Sequence, residues 1–444
     1  MTAGDSARAG VEYRKRPDAG RGGGAGDDVA RVVADMLADI ESRGEEAVRE
    51  HSRRLDDWDP DDFRVTDEEI AAAAEEVPED LRAHIEFAQA QIRRFAEAQL
   101  GTLSDLELET APGVVLGHRN VPVRSAGAYV PGGRYPMLAS AFMTILTAKV
   151  AGVERIVACA PPRQPEGGIH PYMLHAMATS GADQIVCLGG VQALGALAFG
   201  AGIVEPVDMI VGPGNAYVAE AKRQLFGRVG IDLHAGPTEI VVIADESADA
   251  ELVATDLLAQ AEHGPDSPAG LITPSAELAD AVIERVERLL ETWPTAEVAG
   301  AAWRDRGWVA VVDSDETAVA VANDAAPEHL EVQVSDENLD WYRDRLFNYG
   351  GLFLGDEATV VYGDKAIGTN HVLPTAGAAR FTGGLWVGKF LKTLTYQRVT
   401  RQGTLGIAPA AAAISRAEQF EGHAISADVR LARAGSENGD RADS

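Results

Sequence analysis

The stretch Val207-Asp208-Met209-Ile210-Val211-Gly212-Pro213-Gly214-Asn215 decides the fold, because an apolar strand ends at a glycine turn that leads into a helix predicted over residues 216–226. The same order of strand, turn and helix repeats throughout residues 127–245. A second run of alternating strands and helices extends over residues 240–354. Apolar strands that alternate with helices are typical of βαβ units and parallel sheets. The sequence therefore predicts an α/β protein with two Rossmann-like parallel-sheet domains.

Helical patterns flank these two runs and define the predicted domain organisation. The helices between residues 29 and 100 are expected to pack with the second sheet, because the block 127–238 reads as an insertion. Two further helices are predicted near residues 385–393 and 408–420. The predicted parts are a disordered segment or arm (1–28), a first α/β domain (29–126 and 239–384) interrupted by a second α/β domain (127–238), a C-terminal helical tail (385–430) and a disordered tail (431–444).

The net charge excludes two classes of partner. The 444-residue chain has 69 acidic and 39 basic residues, which gives a formal net charge of −30 at pH 7. Phosphate backbones and anionic membrane surfaces repel such a chain, so we expect no nucleic-acid partner and no membrane partner. The acidic residues are dispersed over predicted helix faces and lysine is scarce beside arginine. This pattern resembles the acidic, halophilic surfaces of proteins from salt-rich cytoplasm.

Cysteine usage and hydropathy indicate the compartment. Cys159 and Cys187 each lie in an apolar, strand-like run, as is typical of buried thiols in a reducing environment. The N-terminal residues lack the apolar core of a signal peptide, and no stretch reaches the roughly 18 apolar residues of a membrane span. We therefore expect a cytoplasmic protein.

Two polar residues mark the end of a helix predicted from Ala248 to His263. Gln260 and His263 are three positions apart, so they lie on one side of the helix, within reach of one ion or ligand. A cation at this end would also meet the negative pole of the helix dipole. Taken alone, these residues favour the interpretation as a solvated helix end with an ordinary C-terminal histidine.

Glycine turns follow three strands of the first run. They are Pro131-Gly132-Gly133, Gly189-Gly190 and Gly212-Pro213-Gly214. Such turns allow a pyrophosphate to approach backbone N–H groups at a helix start. Tyr217 stands where the third glycine of a dinucleotide-binding motif would be. The turns therefore leave both dinucleotide binding and plain turn geometry open.

Further polar residues suggest chemistry at the second sheet. Glu328 and His329 are adjacent at a strand entry, and two bases of different pKa suit a reaction with two proton transfers. A surface pair remains the alternative. Together, Gln260, His263, Asp364 and His423 would form an N/O ligand set that suits Zn²⁺, with Mn²⁺ or Co²⁺ as competitors.

Several long motifs resemble the signature of the histidinol dehydrogenase family. Their order and spacing match the family from about residue 29 to residue 430. The motifs are Gly212-Pro213-Gly214-Asn215, Gly236-Pro237-Thr238-Glu239, Asp256-Leu257-Leu258-Ala259-Gln260-Ala261-Glu262-His263-Gly264, Pro327-Glu328-His329-Leu330 and Gly368-Thr369-Asn370-His371-Val372-Leu373-Pro374-Thr375.

The resemblance implies an aldehyde-dehydrogenase-like fold and an NAD-dependent homodimer with one Zn²⁺ per subunit. Such an enzyme oxidises L-histidinol to L-histidine in two steps, through an enzyme-held histidinal, at the end of histidine biosynthesis. The site would be shared between the two subunits, since His423 matches a ligand that the family supplies from the other subunit.

The resemblance also assigns roles to individual residues. Thr238 departs from the family in one respect, because serine is common at this position. The implied roles are metal ligands (Gln260, His263, Asp364, His423), catalytic bases (Glu328, His329), NAD contacts (Tyr129, Gln192, Asn215) and substrate contacts (Thr238, Gln260, His263, His329, Asp364, Glu418, His423).

Three other activities remain open on the sequence. A relative on the same scaffold could oxidise another primary alcohol, such as a sulfonated diol, without recognising an imidazole. A zinc-dependent hydrolase would need no nucleotide, and a binding protein would need no catalytic bases. Neither cysteine lies in a motif, which disfavours a route through a thiohemiacetal.

Overall fold

The computed structural model describes residues 9–17, 25–132, 135–233 and 236–436. The chain divides into two compact units. The first comprises Met1–Ala98 and Val123–Phe390, and the second Gln99–Pro122 and Leu391–Ser444, as far as these ranges are described. Within the described residues, no helix combines the length and apolar character needed to span a bilayer.

One sheet of the first unit carries six strands among the described residues, in the order β1-β11-β10-β9-β12-β13. Its strands are β1 (Val11–Lys15), β9 (Ile240–Ala244), β10 (Ala269–Thr273), β11 (Trp308–Val312), β12 (His329–Gln333) and β13 (Gly351–Leu354). All neighbours run parallel except β1, which pairs antiparallel with β11. Its helices are α9 (Ala250–Ala261), α10 (Ala276–Leu290), α11 (Ala296–Arg306), α12 (Asp315–Ala325), α13 (Asp336–Arg343) and α14 (Val360–Lys365).

The other sheet of this unit carries five parallel strands among the described residues, in the order β6-β5-β4-β7-β8. The strands are β4 (Ser125–Tyr129), β5 (Arg155–Ala160), β6 (Gln184–Cys187), β7 (Met209–Val211) and β8 (Gly230–Ile231). The helices between them are α5 (Leu138–Val150), α6 (Pro171–Thr179), α7 (Gly190–Phe199) and α8 (Ala216–Leu225). Two parallel sheets with intervening helices confirm the predicted fold class.

The N-terminal helices cover the five-stranded sheet, so their predicted packing was wrong. They are α1 (Ala25–Arg43), α2 (Glu45–Asp56), α3 (Asp67–Glu76) and α4 (Glu79–Gly101). Val33 and Ile40 of α1 share one core cluster with Leu194 and Leu197 of α7. The loop between α2 and α3 also extends this sheet, since the backbone carbonyl of Phe63 accepts a hydrogen bond from the backbone N–H of Cys187 in β6. Amphipathic periodicity predicts that a helix buries one face, but does not say against which partner.

The expected N-terminal arm is ordered in part. Residues 11–15 form β1, whose register pairs Val11 with Val312 at the edge of the six-stranded sheet. This segment is therefore ordered and pairs with a strand of its own chain. The remainder of the predicted arm, residues 1–8 and 18–24, falls outside the described residues.

The second unit corrects the predicted C-terminal tail. It combines the antiparallel strands β2 (Leu106–Ala111), β3 (Val114–Pro122) and β14 (Leu391–Val399) with α15 (Arg401–Ala417) and α16 (Glu421–Gly435). The helix predicted near residues 385–393 is a short 3₁₀ turn, Val387–Phe390, followed by β14. The tail predicted to be disordered from residue 431 is helical to Gly435, and residues 437–444 are not described.

Candidate active site

Three of the predicted site residues meet at the amino ends of strands β9 and β12 in the six-stranded sheet. Glu328 precedes β12, His329 is its first residue, and Thr238 lies two residues before β9. The strands are paired so that His329 stands opposite Ile240. This register brings the loop with Thr238 and Glu239 against the start of β12. Glu328 and His329 are both buried, and their side chains approach to 3.6 Å between Oε2 and Nδ1.

Glu328 is a buried carboxyl held by one of its oxygens. Its Oε2 accepts hydrogen bonds from Thr238 Oγ1 at 2.5 Å and from Glu239 N at 3.0 Å. Burial raises the pKa of Glu328 to about 7, although His329 and these two donors oppose the shift. A carboxyl group with this pKa can exchange a proton near neutral pH.

His329 has one engaged and one unengaged ring nitrogen. Its Nδ1 lies 2.9 Å from the carbonyl oxygen of Glu239, which as an acceptor requires the proton on Nδ1. The buried Nε2 has no hydrogen-bond partner among the described residues and lies 3.7 Å from Asp364 Oδ1. Burial alone would lower the pKa of His329, but the carboxylates of Glu328 and Asp364 outweigh it and raise this pKa to about 9.

The predicted metal ligands of the first unit lie near the Glu328–His329 pair. Gln260 is buried, and its Nε2 donates to Thr238 Oγ1 at 2.5 Å, which leaves the amide oxygen as its ligand atom. His263 follows the end of α9, with a ring that is exposed to solvent. Desolvation of the imidazole lowers the pKa of His263, and the negative charge of Asp364 opposes this effect. The two residues are therefore electrostatic neighbours. Burial would raise the pKa of Asp364, but His329 and nearby positive charge hold it far below the usual carboxyl range.

This donor set fits a divalent cation whose coordination is completed by further ligands. The described residues contain no cluster of three or more His, Cys, Asp and Glu side chains able to hold a metal. Gln260 lies outside those residue types, so the set of this unit consists of two amino acids of that kind and one amide. The ionised carboxylate of Asp364 and the negative dipole pole at the carboxyl end of α9 both favour a positive charge nearby.

Glu418 and His423 belong to the second unit. Glu418 caps the carboxyl end of α15, and His423 lies in the first turn of α16 with its ring 5.4 Å from that of Phe420. Both side chains are exposed. Their predicted roles toward the substrate and the metal stay predictions.

The predicted dinucleotide contacts lie at the carboxyl edge of the five-stranded sheet. Tyr129 ends β4, and its hydroxyl accepts from Gly190 N, at the start of α7, at 3.2 Å. Asn215 caps α8 by accepting from the backbone N–H groups of the second and third following residues. Gln192 donates to Asp56 at 2.7 Å, and its buried amide oxygen has no partner among the described residues. The two helix amino ends fit an anionic group, and the orphaned amide oxygen fits a hydrogen-bond donor of the same polar ligand.

A buried ion pair that sequence reasoning missed fixes the turn before Asn215. Lys222 and Asp232 are ion-paired with almost no exposure, and both hold Gly212. Lys222 Nζ donates to the Gly212 carbonyl at 2.8 Å, and Asp232 accepts from Gly212 N at 2.7 Å. A side chain at Gly212 would lie 2.1 Å from the carbonyl oxygen of Tyr129, and φ is +114°. This pair has no signal in the sequence, because the burial of Lys222 and Asp232 appears only in the folded chain.

The cysteines are placed away from the acid–base pair. Cys159 lies in β5 and Cys187 in β6, both buried in the five-stranded sheet. Burial raises the pKa of both thiols, so they stay protonated and unreactive. Their position agrees with the expectation that no thiol carries the reaction.

Two other supporting contacts were not predicted. His371, which lies in one of the quoted motifs, receives no role from sequence alone. Its Nδ1 lies 3.0 Å from the carbonyl oxygen of Asp364, and its Nε2 lies 3.0 Å from Ser140 Oγ of α5. The ring thus connects the backbone of α14, at Asp364, to α5 beside the five-stranded sheet. Glu239 also acts through its backbone, which no sequence pattern reveals.

Comparison with known proteins decides the family. The family model described as histidinol dehydrogenase matches residues 21–431. The chain belongs to the histidinol dehydrogenase family. It is therefore an oxidoreductase, and the resemblance inferred from its motifs is confirmed.

Curated relatives cover nearly the whole chain. A histidinol dehydrogenase homolog from Shouchella clausii is 56% identical, covering 92% of this chain and 95% of its own. A sulfopropanediol 3-dehydrogenase from Ruegeria pomeroyi is 49% identical, covering 95% and 97%. A histidinol dehydrogenase from the same organism is 45% identical, covering 91% and 93%. Members of this family that are similar to the chain thus carry two different substrate names.

A solved structure shows the same fold. The crystal structure of histidinol dehydrogenase from Elizabethkingia anophelis superposes with a TM-score of 0.88 at 34% sequence identity, covering 95% of each chain.

Proposed function

We propose that the chain catalyses the NAD-dependent four-electron oxidation of L-histidinol to L-histidine, through an enzyme-held histidinal. The reaction consumes one alcohol, two NAD⁺ and one water, and yields one carboxylate, two NADH and three protons. The family supports a dehydrogenase, and relatives named for histidinol support this substrate. One observation carries the proposal: a buried carboxyl group and a buried imidazole, those of Glu328 and His329, lie 3.6 Å apart.

His329 is the base for the alcohol. Its Nδ1 is bonded to the carbonyl oxygen of Glu239, so Nε2 is the nitrogen that takes a proton. The same contact fixes the plane of the ring, which orients Nε2 toward the space beside Asp364. General-base help of this kind contributes about 10²–10⁴-fold to a step. The carboxylates of Glu328 and Asp364 stabilise the imidazolium that results.

Glu328 is the base for the second oxidation, in which water adds to the aldehyde. Thr238 and Glu239 engage Oε2, so Oε1 is the oxygen available to a water molecule. The raised pKa makes the carboxylate a stronger base than an exposed one. Thr238 has a second function, because its hydroxyl also accepts from Gln260 and so links the base to a candidate ligand.

Two bound groups complete the proposal. Tyr129, Gln192 and Asn215 would hold NAD, which would supply the hydride acceptor that amino-acid side chains lack. Gln260, His263 and Asp364, with His423 from the second subunit of a homodimer, would hold a divalent cation, which would supply a Lewis acid for binding the imidazole and amine of the substrate.

A second candidate substrate is a sulfonated diol. The relative named sulfopropanediol 3-dehydrogenase has a higher identity, 49%, than the relative named histidinol dehydrogenase from the same organism, 45%. Glu328 and His329 would perform the same two proton transfers on either primary alcohol. The two candidates therefore differ in recognition and share their chemistry.

The test is a substrate comparison with purified protein, NAD and Zn²⁺. L-histidinol and sulfopropanediol are each assayed for kcat/KM and for NADH formed per alcohol consumed. The proposal expects turnover of histidinol with two NADH per alcohol. Turnover of sulfopropanediol alone assigns the chain to the second candidate, and one NADH per alcohol excludes oxidation to the acid.

A further inference from the structure

A buried carboxyl pair lies behind the candidate site and takes no part in the proposed chemistry. Glu331 of β12 is fully buried, and Asp256 of α9 is half-buried beside it. Gln333 Nε2 donates to both, at 3.1 Å to Glu331 and at 3.0 Å to Asp256. The amide of Gln333 thus bridges the two carboxyl groups, and burial raises the pKa of both, that of Glu331 to about 8.

The same pair holds the start of α14. Val360 N, the first N–H group of this helix, donates to Glu331 Oε1 at 2.9 Å. Thr359, the N-cap residue, donates through Oγ1 to Asp256 at 3.0 Å. The two carboxyl groups therefore accept from donors at the start of α14 that have no acceptor within the helix.

The helix α9, the strand β12 and the helix α14 each carry one residue of this network and, a few positions away, one candidate site residue. On α9, Gln260 lies one helical turn after Asp256. On β12, His329 lies two residues before Glu331, on the same side of the strand. On α14, Asp364 lies one turn after Val360. The network thus fixes the mutual position of the three elements from which the candidate cation site is built.

We propose that Glu331 is a positioning residue for the cation site, acting with Asp256 to lock α9 and α14 onto β12. The inference rests on the proposed cation site, and it adds residues that touch neither substrate nor cation. Support of this kind matters because the candidate ligands must be held together before the cation arrives, and changes in supporting residues typically weaken metal binding by about 10–100-fold.

The geometry predicts a specific order among variants. Glu331→Gln keeps an oxygen for Val360 N and nearly the same side-chain volume. Glu331→Ala removes the acceptors for Val360 N and for Gln333, and frees the start of α14. Val332→Ala is the matched control, because Val332 is the next residue of β12 and is equally buried, but faces the opposite side of the sheet. It loses core packing without touching the carboxyl pair.

The experiment is calorimetric titration of the metal-free full-length protein with Zn²⁺, for the wild type and these three variants. Glu331→Ala is expected to bind Zn²⁺ about 10–100-fold more weakly, whereas Glu331→Gln and Val332→Ala stay within about threefold of the wild type. Melting temperatures in the presence of a chelator report the structural cost, which Val332→Ala shares. Equal Zn²⁺ affinities for Glu331→Ala and Val332→Ala would overturn the proposal.

A second pair of variants covers the case in which Glu331→Ala fails to fold. Thr359→Val removes the donor to Asp256, and Thr359→Ser restores it. The proposal expects weaker Zn²⁺ binding for the first and recovery for the second, and the absence of this difference contradicts it. A wild-type chain that binds Zn²⁺ normally but oxidises neither alcohol contradicts only the proposed function, while a wild type that binds no Zn²⁺ contradicts both.

Discussion

The two sheets of the first unit present polar residues at opposite kinds of edge. At the five-stranded sheet, the candidate residues lie at the carboxyl ends of strands, where α7 and α8 begin. At the six-stranded sheet, they lie at the amino ends of β9 and β12, where α9 and α14 end. The first edge therefore exposes helix amino ends and their N–H groups, and the second exposes carboxyl ends together with acidic side chains.

This difference matches the charge of the proposed ligands. Helix amino ends attract anions, and helix carboxyl ends attract cations. A pyrophosphate suits the edge with Gly190 and Asn215, whereas a divalent cation suits the edge with Gln260, His263 and Asp364. Under the proposed function, the anionic and the cationic ligand would bind at opposite ends of the parallel strands, and the acid–base pair Glu328–His329 would lie on the cation side.

Removal of the second base should have the largest effect. Glu328→Gln keeps the acceptor for Thr238 and Glu239 but cannot take a proton from water. We expect the aldehyde oxidation to slow by about 10²–10⁴-fold while the alcohol oxidation is affected less. Rapid-quench measurement of the two NADH-forming steps checks this, with Glu246→Gln, an exposed residue, as the control. Equal loss in both steps would contradict the role of Glu328.

Breaking the buried pair at the dinucleotide edge should have the next largest effect, on stability. Lys222→Met leaves Asp232 buried without a partner, which typically costs about 3–5 kcal/mol of unfolding free energy. The control is Lys149→Met, because Lys149 pairs with Asp183 nearer the surface, where such pairs contribute at most about 1 kcal/mol. Urea denaturation compares the two, and equal losses would show that the pair at Gly212 has no special role.

The pH dependence of the second oxidation should follow Glu328. Burial raises its pKa from 4.5 to about 7, and only the carboxylate accepts a proton. We expect the aldehyde oxidation rate to fall about tenfold per pH unit below 7 and to level off above it. Since the folded-state pKa is the higher one, the stabilising effect of the protonated group is present below pH 4.5 and is lost as the pH rises through 7. A rate that stays flat from pH 5.5 to 7.5 is incompatible with this assignment.

A charge placed at the dinucleotide edge should have the smallest effect. Asn215→Asp keeps the N-cap of α8, because Asp and Asn cap equally well. The added negative charge beside the bound pyrophosphate should weaken NAD binding by about 2–5-fold without lowering the melting temperature. Asn215→Ala is the complementary variant, since it loses the cap and about 1 kcal/mol of stability. Unchanged NAD affinity in Asn215→Asp would place the pyrophosphate elsewhere.

Much of the fold followed from local pattern. The apolar strands and glycine turns predicted both parallel sheets, because each βαβ unit is written in one short stretch. The strand β14 was mistaken for a helix because its support is not local: Leu391–Val399 pairs along its whole length with Val114–Pro122. The helices before residue 100 were assigned to the wrong sheet for the same reason.

The candidate site was predictable only as a set of residues. Glu328 and His329 stood out by adjacency, and Gln260 and His263 by helical spacing. The contacts that give them chemistry depend on β-sheet register, as when β12 places His329 beside the carbonyl of Glu239. The pair Lys222–Asp232 and the pair Asp256–Glu331 were invisible because burial, which makes their charges matter, is a property of the folded chain.

The central claim is that the two edges bind different ligands independently. The most direct test is to titrate the wild type, His263→Ala and Asn215→Asp with Zn²⁺ and with NAD separately. We expect His263→Ala to lose at least about 10–100-fold in Zn²⁺ affinity while NAD affinity stays within about twofold. Asn215→Asp should show the reverse selectivity, with weaker NAD binding and unchanged Zn²⁺ binding. A His263→Ala chain that binds Zn²⁺ as the wild type does, or that weakens both ligands equally, would contradict the account.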